Sequence, residues 1–170
     1  RFAAHPHYAS SADLPVAQES RGGLWTEYDA LGRVVGEREV DGSLRRSAYI
    51  PLGVVEHDEN DTDPTSPHFD TPVTQLSDGQ GHLVQTIDRE GSREISTYFA
   101  YNPLGSLVRV TDAEGHVRQY GFDGRGRLRR VEEPNAGTWR YQYDDADGLV
   151  ERSDGSGNRV HYELDILGRT

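Results

Sequence analysis

The sequence contains no cysteine and no methionine, and only 34% of its residues are hydrophobic. Without cysteine the chain has neither disulfide bonds nor thiolate chemistry. No apolar run approaches the ~20 residues of a membrane-spanning helix, and the N-terminus lacks the apolar core of a signal peptide. Because methionine is missing even from position 1, we expect a processed piece of protein or a segment of a longer one.

Basic residues are outnumbered, 18 against 29 acidic ones, which gives a net charge of −11. Binding to nucleic acid or to an anionic membrane surface is therefore not expected, because both need clustered cations. One dense basic group stands beside Glu132 and Glu133, and we interpret it as a solvated strand face. Its members are Arg125, Arg127, Arg129 and Arg130.

A seven-residue theme recurs along the chain, and its clearest copy is Tyr28-Asp29-Ala30-Leu31-Gly32-Arg33-Val34. Its most durable mark is a glycine that returns after about 20 to 28 residues. These glycines are Gly32, Gly53, Gly81, Gly105, Gly126, Gly148 and Gly168. A period of this size predicts one supersecondary unit, stacked repeatedly so that each unit buries its surface against its neighbours.

Each unit reads as a pair of β-strands with a turn at either end. Short runs with aromatic or branched residues alternate with polar ones, and acid–glycine pairs such as Asp41-Gly42 predict hairpin turns. Asp29 and its equivalents can bond to nearby backbone amides at the other turn. We therefore predict an all-β fold of roughly a dozen antiparallel strands. The alternation slips between Leu128 and Val131, which predicts a β-bulge.

Three regions differ in composition. Residues 1–23 carry no copy of the theme and are expected to form an extended arm or linker, whereas residues 24–170 form the repeat segment. An acidic insertion that contains proline interrupts the repeats at about residues 56–73. Low hydrophobicity would also suit a disordered chain, but aromatic residues in phase with the glycines favour a thin, solvated sheet.

The theme resembles the YD repeats of Rhs proteins, which also occur in insecticidal toxin complexes and in teneurins. The resemblance rests on Tyr28 to Val34, on Phe122 to Leu128 and on the further copies in register, and it covers residues 24–170. It implies a twisted, curling ribbon of consecutive hairpins that forms part of a hollow shell. The self-cleaving Asp-Pro-x-Gly core of the bacterial members is missing, since Asp63-Pro64 is followed by Thr65 and Ser66.

No group of residues predicts a catalytic, cofactor or metal site. The acidic stretch Asp58 to Asp63 has oxygen ligands that suit calcium but lacks the glycine of an EF-hand loop, so a solvated, mobile loop is favoured. The seven histidines have no zinc-site spacing. The repeat tyrosines favour packing on neighbouring strands over sugar binding. The histidines are His5, His7, His57, His68, His82, His116 and His161, and the tyrosines are Tyr28, Tyr49, Tyr101 and Tyr143.

These observations and the resemblance together predict a structural, non-enzymatic wall segment of a larger bacterial protein that is secreted or displayed on the cell surface. Its expected partners are the remaining repeats and a C-terminal toxin outside this chain. Self-association through open sheet edges is a further expectation. The alternative is an adhesion module that binds glycans or a receptor through exposed aromatic residues of the repeats.

Overall fold

The computed structural model describes residues 24–165, and nearly all of them lie in β-strands and the turns between strands. The predicted all-β class is confirmed, with thirteen strands in this part of the chain. The expected N-terminal arm, residues 1–23 with His5 and His7, lies outside the described residues. Residues 166–170, which include Gly168, also lie outside them. The strands are β1 (Trp25–Tyr28), β2 (Val34–Arg38), β3 (Leu44–Ile50), β4 (Gly53–His57), β5 (Val73–Ser77), β6 (Leu83–Glu90), β7 (Arg93–Tyr101), β8 (Leu107–Thr111), β9 (Val117–Phe122), β10 (Leu128–Glu133), β11 (Gly137–Tyr143), β12 (Leu149–Ser153) and β13 (Arg159–His161).

The thirteen strands form one antiparallel sheet in which every strand pairs with its neighbours in sequence. All strand contacts are therefore local, as expected for repeated hairpins. β1 and β13 are the two edges, and within residues 24–165 neither has a second partner strand. None of these residues belongs to a helix that is long and apolar enough to cross a membrane.

Five of the strand pairs contain a one-residue shift of register, and each shift lies beside a turn of the repeated theme. The bulge predicted between Leu128 and Val131 is confirmed, because Leu128 pairs with Phe122 whereas Arg130 pairs with Gly121. Arg129 is the extra residue. Each bulge increases the local twist and bends its strand, so the repeat itself carries a cause of curvature. The other four extra residues are Val35, Val84, Val108 and Val150.

The sheet is a single layer with very little fully buried apolar surface. Val131 is the buried hydrophobic residue among those described, with 7% of its surface exposed, and no large side chain there is completely enclosed. It lies between Tyr120 and Trp139 on one face of the sheet. Stability in such a sheet comes from half-buried side chains packed across neighbouring strands. The expectation of a thin, solvated sheet is therefore confirmed.

Between β4 and β5 the chain forms a compact excursion, residues 58–72, with one short helix, α1 (Glu59–Thr62). Asp58 caps this helix, and the carboxylate of Asp61 accepts hydrogen bonds from the amide of Asp58 and from Thr71. The interpretation of residues 58–63 as a mobile loop is wrong, because the acidic side chains bond to backbone groups and fix the local conformation. The Thr62 hydroxyl also donates to the carbonyl of Leu44.

Candidate functional site: the loop rims

All turns of the repeated theme lie along one edge of the ribbon, because each joins an odd-numbered strand to the next even-numbered one. We call this edge the first rim and the opposite edge the second rim. The first rim carries loops 29–33, 51–52, 78–82, 102–106, 123–127 and 144–148. The second rim carries loops 39–43, 58–72, 91–92, 112–116, 134–136 and 154–158.

Eight five-residue loops in the described chain share one backbone pattern. In loop 29–33 the amide of Asp29 donates to the carbonyl of Arg33, and the amide of Gly32 donates to the carbonyl of Asp29. Gly32 has a φ of 78°, which glycine adopts without the strain that a side chain imposes. The sequence suggested two kinds of turn, whereas three second-rim loops repeat this geometry. The remaining seven loops are 39–43, 78–82, 102–106, 112–116, 123–127, 144–148 and 154–158.

The first residue of the loop holds it closed through its side chain. Oδ1 of Asp29 accepts hydrogen bonds from the amides of Leu31 and Arg33, both at 2.9 Å, and Oδ2 accepts one from Nε of Arg33 at 2.7 Å. Asp123 makes the same three bonds to Arg125 and Arg127. The prediction that these acids bond to turn amides is confirmed. In loop 102–106 the amide oxygen of Asn102 accepts the two backbone bonds instead.

These bonds stabilise the charged form of the carboxylates. The pKa of Asp29 is lowered chiefly by the backbone amide of Arg33, and the pKa of Asp78 chiefly by the backbone amide of His82. The pKa of Asp154 is lowered first by the side-chain amide of Asn158. The loops are therefore built around ionised aspartates, and protonation removes part of their stabilisation.

The last residue of the loop connects one repeat to the next. The guanidinium of Arg33 lies 4.0 Å from the centre of the Tyr49 ring, and that of Arg127 lies 5.0 Å from the centre of the Tyr143 ring. Both distances are within the range of cation–π attraction. The hydroxyl of Tyr143 also donates to the carbonyl of Leu128 at 2.9 Å. Tyr143 thus contacts the preceding repeat twice, through its ring and through its hydroxyl.

His82 occupies the same loop position as the two arginines and has the same role. Its ring stacks on Tyr101 with 4.7 Å between centroids, and its Nδ1 lies 3.1 Å from Oδ2 of Asp78. The hydroxyl of Tyr101 donates to the carbonyl of Leu83. The sequence did not distinguish His82 from the other histidines, whose spacing argued only against a zinc site. The alignment of His82 with Arg33 and Arg127 in the repeat was the signal that identifies this contact.

The interpretation of the dense arginine group as a solvated strand face is wrong for Arg125 and Arg127. Both lie in loop 123–127 and reach across to Asp147 of the next loop, with N–O distances of 3.1 and 2.7 Å. Arg127 also donates to the carbonyl of Asp144, and its side chain is only 20% exposed. These two arginines therefore join neighbouring loops.

Two marker glycines have a packing role instead of a conformational one. A Cβ on Gly53 would lie 2.6 Å from the carbonyl oxygen of Gln75, and one on Gly148 would overlap the side chain of Leu164. At these turns the positive φ belongs to the preceding residue, 56° at Leu52 and 70° at Asp147. The glycine is therefore kept where strands or loops approach too closely for any side chain.

No cluster of three or more possible metal ligands exists among residues 24–165, so the excursion between β4 and β5 brings no such set together. The histidines in this part of the chain are dispersed over the sheet and its rims. Four of these histidines have a ring nitrogen within 4 Å of a carboxylate oxygen: His57, His82, His116 and His161. The arrangement can hold neighbouring loops together through hydrogen bonds and ion pairs.

Comparison with known proteins agrees with this repeat geometry. Residues 101–138 and 122–158 match the family model described as RHS repeat. Toxin protein Tse5 of Pseudomonas aeruginosa is 28% identical over 95% of the chain, and the probable deoxyribonuclease RhsB of Dickeya dadantii is 33% identical over 79%. The chain spans 12% and 9% of the length of these two relatives.

Solved structures share the fold at lower identity. A chain of the TcdB2-TccC3 crystal structure matches 88% of this chain with a TM-score of 0.75 and 21% identity. A chain of the Photorhabdus luminescens Tc holotoxin pore matches 84% with a TM-score of 0.73 and 21% identity. The matched part is 8% of each of those chains, so the same ribbon occurs there within much longer polypeptides.

Proposed function

Because this chain is a segment of the Rhs/YD-repeat family, we propose that it forms one stretch of the wall of a shell that encloses and helps to deliver a toxin. The toxin would lie outside residues 1–170, in a larger protein that is secreted or displayed on the cell surface. In this proposal the segment itself catalyses nothing. The remaining repeats and the toxin are its partners.

The observation that carries the proposal is the continuous ribbon of thirteen consecutive strands with rim contacts between successive repeats. A single layer with half-buried residues on its surface makes a poor independent globule, since little apolar area is enclosed. The same layer makes an effective wall, because backbone hydrogen bonds close every gap between strands. Bulges beside the first rim supply the bending that a closed wall needs.

The alternative function, recognition of glycans or a receptor, has less support. Three of the four repeat tyrosines considered for stacking on a sugar are already in contact with a loop of the preceding repeat: Tyr49, Tyr101 and Tyr143. One face of each ring is therefore covered, by Arg33, His82 or Arg127. We expect Tyr-to-Ala changes at these three positions to lower the free energy of unfolding. On a glycan array, we expect the wild type and these variants to show no difference in glycan binding.

Protease protection of the full-length protein tests the wall. In the parent protein, Gly53→Arg drives a side chain into the backbone carbonyl of Gln75 and separates β4 from β5. Gly79→Arg is the matched control, because a Cβ at Gly79 has nothing within 4 Å. We expect the toxin region to be digested faster in the Gly53 variant and in a deletion of residues 24–165, with the Gly79 variant resembling the wild type. Unchanged protection in the Gly53 variant and the deletion contradicts a wall role.

A further inference from the structure

Tyr28 is the one tyrosine of the repeated theme that lies on an edge strand. It ends β1, its residue surface is 60% exposed, and β1 pairs only with β2 among the described strands. No cation stacks on its ring and its hydroxyl bonds to no carbonyl within residues 24–165. The equivalent residues Tyr101 and Tyr143 are half-buried. Tyr28 thus occupies the repeat position at which Tyr101 and Tyr143 contact a preceding loop, but within residues 24–165 it makes no such contact.

The interior of the ribbon shows what covers such a tyrosine. In each case the hairpin on its N-terminal side supplies a flat side chain, a guanidinium or an imidazole, at the last position of its loop: Arg33 for Tyr49, His82 for Tyr101 and Arg127 for Tyr143. In the latter two pairs, the carbonyl of the residue that follows the loop accepts the tyrosine hydroxyl. The cover is therefore a particular kind of hairpin and not merely any apolar surface.

The remaining repeats lack both the tyrosine and the Arg or His that would cover it. Where the last loop position holds a small residue, the next copy of the theme has no tyrosine at its first position. Ser106 is followed by Phe122, and Gly148 is followed by Leu164. At Gly148 the geometry explains the exclusion, since the Leu164 side chain occupies the space that a larger residue would need. The five successive pairs of repeats that are joined through a five-residue loop therefore follow one rule: a tyrosine goes with Arg or His, and its absence goes with Gly or Ser.

We propose that the open edge of β1 binds an antiparallel hairpin of the same repeat type whose five-residue loop ends in Arg or His. That side chain stacks on Tyr28, and the carbonyl after it accepts the Tyr28 hydroxyl. The backbone groups of β1 that have no partner strand within residues 24–165 supply the strand pairing. This inference rests on the proposed function, because it names the chemistry by which the wall continues beyond β1.

A second copy of the chain is a poorer occupant for this edge. β1 and β13 are both odd-numbered strands of an antiparallel sheet and so run in the same direction. With the rims of two copies aligned, β13 of one copy would meet β1 of the other in a parallel arrangement. The last complete loop that the structure describes on the first rim ends in Gly148, which offers no cation to Tyr28. An antiparallel hairpin whose loop ends in Arg or His provides both the strand direction and the side chain that Tyr28 requires.

A peptide titration of the complete chain tests the proposal. The probe is a synthetic peptide with the sequence of residues 117–133, which contains β9, its loop and β10 and places Arg127 at the last loop position. The control peptide carries Arg127→Gly. We expect the probe to shift the amide NMR signals of residues 24–28 and to bind about tenfold more tightly than the control, which corresponds to the loss of about 1.4 kcal/mol of cation–π and packing energy.

A chain variant completes the thermodynamic cycle. Tyr28→Leu keeps an apolar residue on the edge strand but removes the aromatic face and the hydroxyl, and we expect it to bind both peptides with the same, weaker affinity. Equal affinity of the two peptides for the wild-type chain overturns the proposal, as does shifting of signals at β13 instead of β1 or the absence of binding. The wall role fails separately, through unchanged protease protection of the Gly53 variant in the parent protein.

Discussion

At the scale of single residues, an aspartate at the first position organises six of the eight five-residue loops. Asp29, Asp78 and Asp154 all accept two backbone amides on one oxygen and a side-chain donor on the other. Short polar side chains are common at such turns because they satisfy backbone donors that no strand can reach. The lowered pKa of each group follows from these bonds, and it makes the stability of the ribbon depend on pH.

We predict that the ribbon loses stability as the pH falls below about 4. The folded-state pKa of Asp29, Asp78 and Asp154 lies below the ordinary value of 3.8. The unfolded chain therefore binds protons first, so this stability is present above about pH 3.8 and is lost as the pH falls through the folded-state values. Urea midpoints measured between pH 6 and pH 2 will show the decline.

The matched variant replaces these three aspartates by asparagine, which keeps an oxygen for the backbone amides as Asn102 does naturally. We expect a shallower fall of the urea midpoint below pH 4 in this variant, since fewer groups titrate. A decline as steep as that of the wild type would show that the loop carboxylates are not its source.

A second residue-scale prediction concerns Leu52, which adopts a φ of 56° in the short turn between β3 and β4. A leucine in this conformation is strained by about 1–2 kcal/mol, and its side chain is largely exposed. We expect Leu52→Gly to raise the free energy of unfolding by up to ~1 kcal/mol. Leu31→Gly, at an exposed loop position without a positive φ, is expected to lower it instead. Denaturant unfolding of both variants measures the difference, and a loss of stability in Leu52→Gly contradicts the assignment of strain.

At the scale of strands and loops, close approach is as important as turn conformation. Gly53 shows this, because the neighbouring strand places a carbonyl oxygen 2.6 Å from where a Cβ would lie. We predict that Gly53→Ala lowers the free energy of unfolding by about 1–3 kcal/mol, as overpacking does. Gly79→Ala has open space around it and is expected to change the free energy of unfolding by less than about 0.5 kcal/mol. Similar effects of the two substitutions on the denaturation midpoint would contradict this account of the repeat glycines.

Much of this element-scale structure could be predicted from the sequence, because turn signals and alternation are local. The strand count, the antiparallel hairpins and the bulge after Leu128 follow from these patterns. The contacts between loops could not be read in the same way. Arg127 meets Asp147 and Tyr143 only because the loops of the first rim are brought side by side by the sheet. The excursion at residues 58–72 was missed for the same reason, since Asp61 accepts a bond from the amide of Thr71 and Thr62 donates one to the carbonyl of Leu44, both distant in sequence.

At the scale of the whole molecule, the ribbon resembles an array more than a globule. Each strand contacts only the strands before and after it, apart from the small excursion beside β3 and β4. Loss of one pairing therefore weakens the ribbon locally, and within residues 24–165 the edge strands β1 and β13 each pair on one side only. The chain spans 12% and 9% of the length of its relatives Tse5 and RhsB.

In the proposed shell, the ribbon separates an enclosed interior from the solvent outside. Because this chain has no cysteine, the accessibility of each face can be measured directly by labelling introduced cysteines. Arg118 and Gln119 are adjacent, both exposed, and point to opposite faces of β9. Single cysteines at these positions are to be labelled with a maleimide reagent, in the isolated chain and in the parent protein. We predict comparable rates for both positions in the isolated chain, and labelling at least ~10-fold slower at one position in the parent, where one face would be enclosed and largely inaccessible to the reagent. Comparable labelling of both faces in the parent protein would contradict the wall.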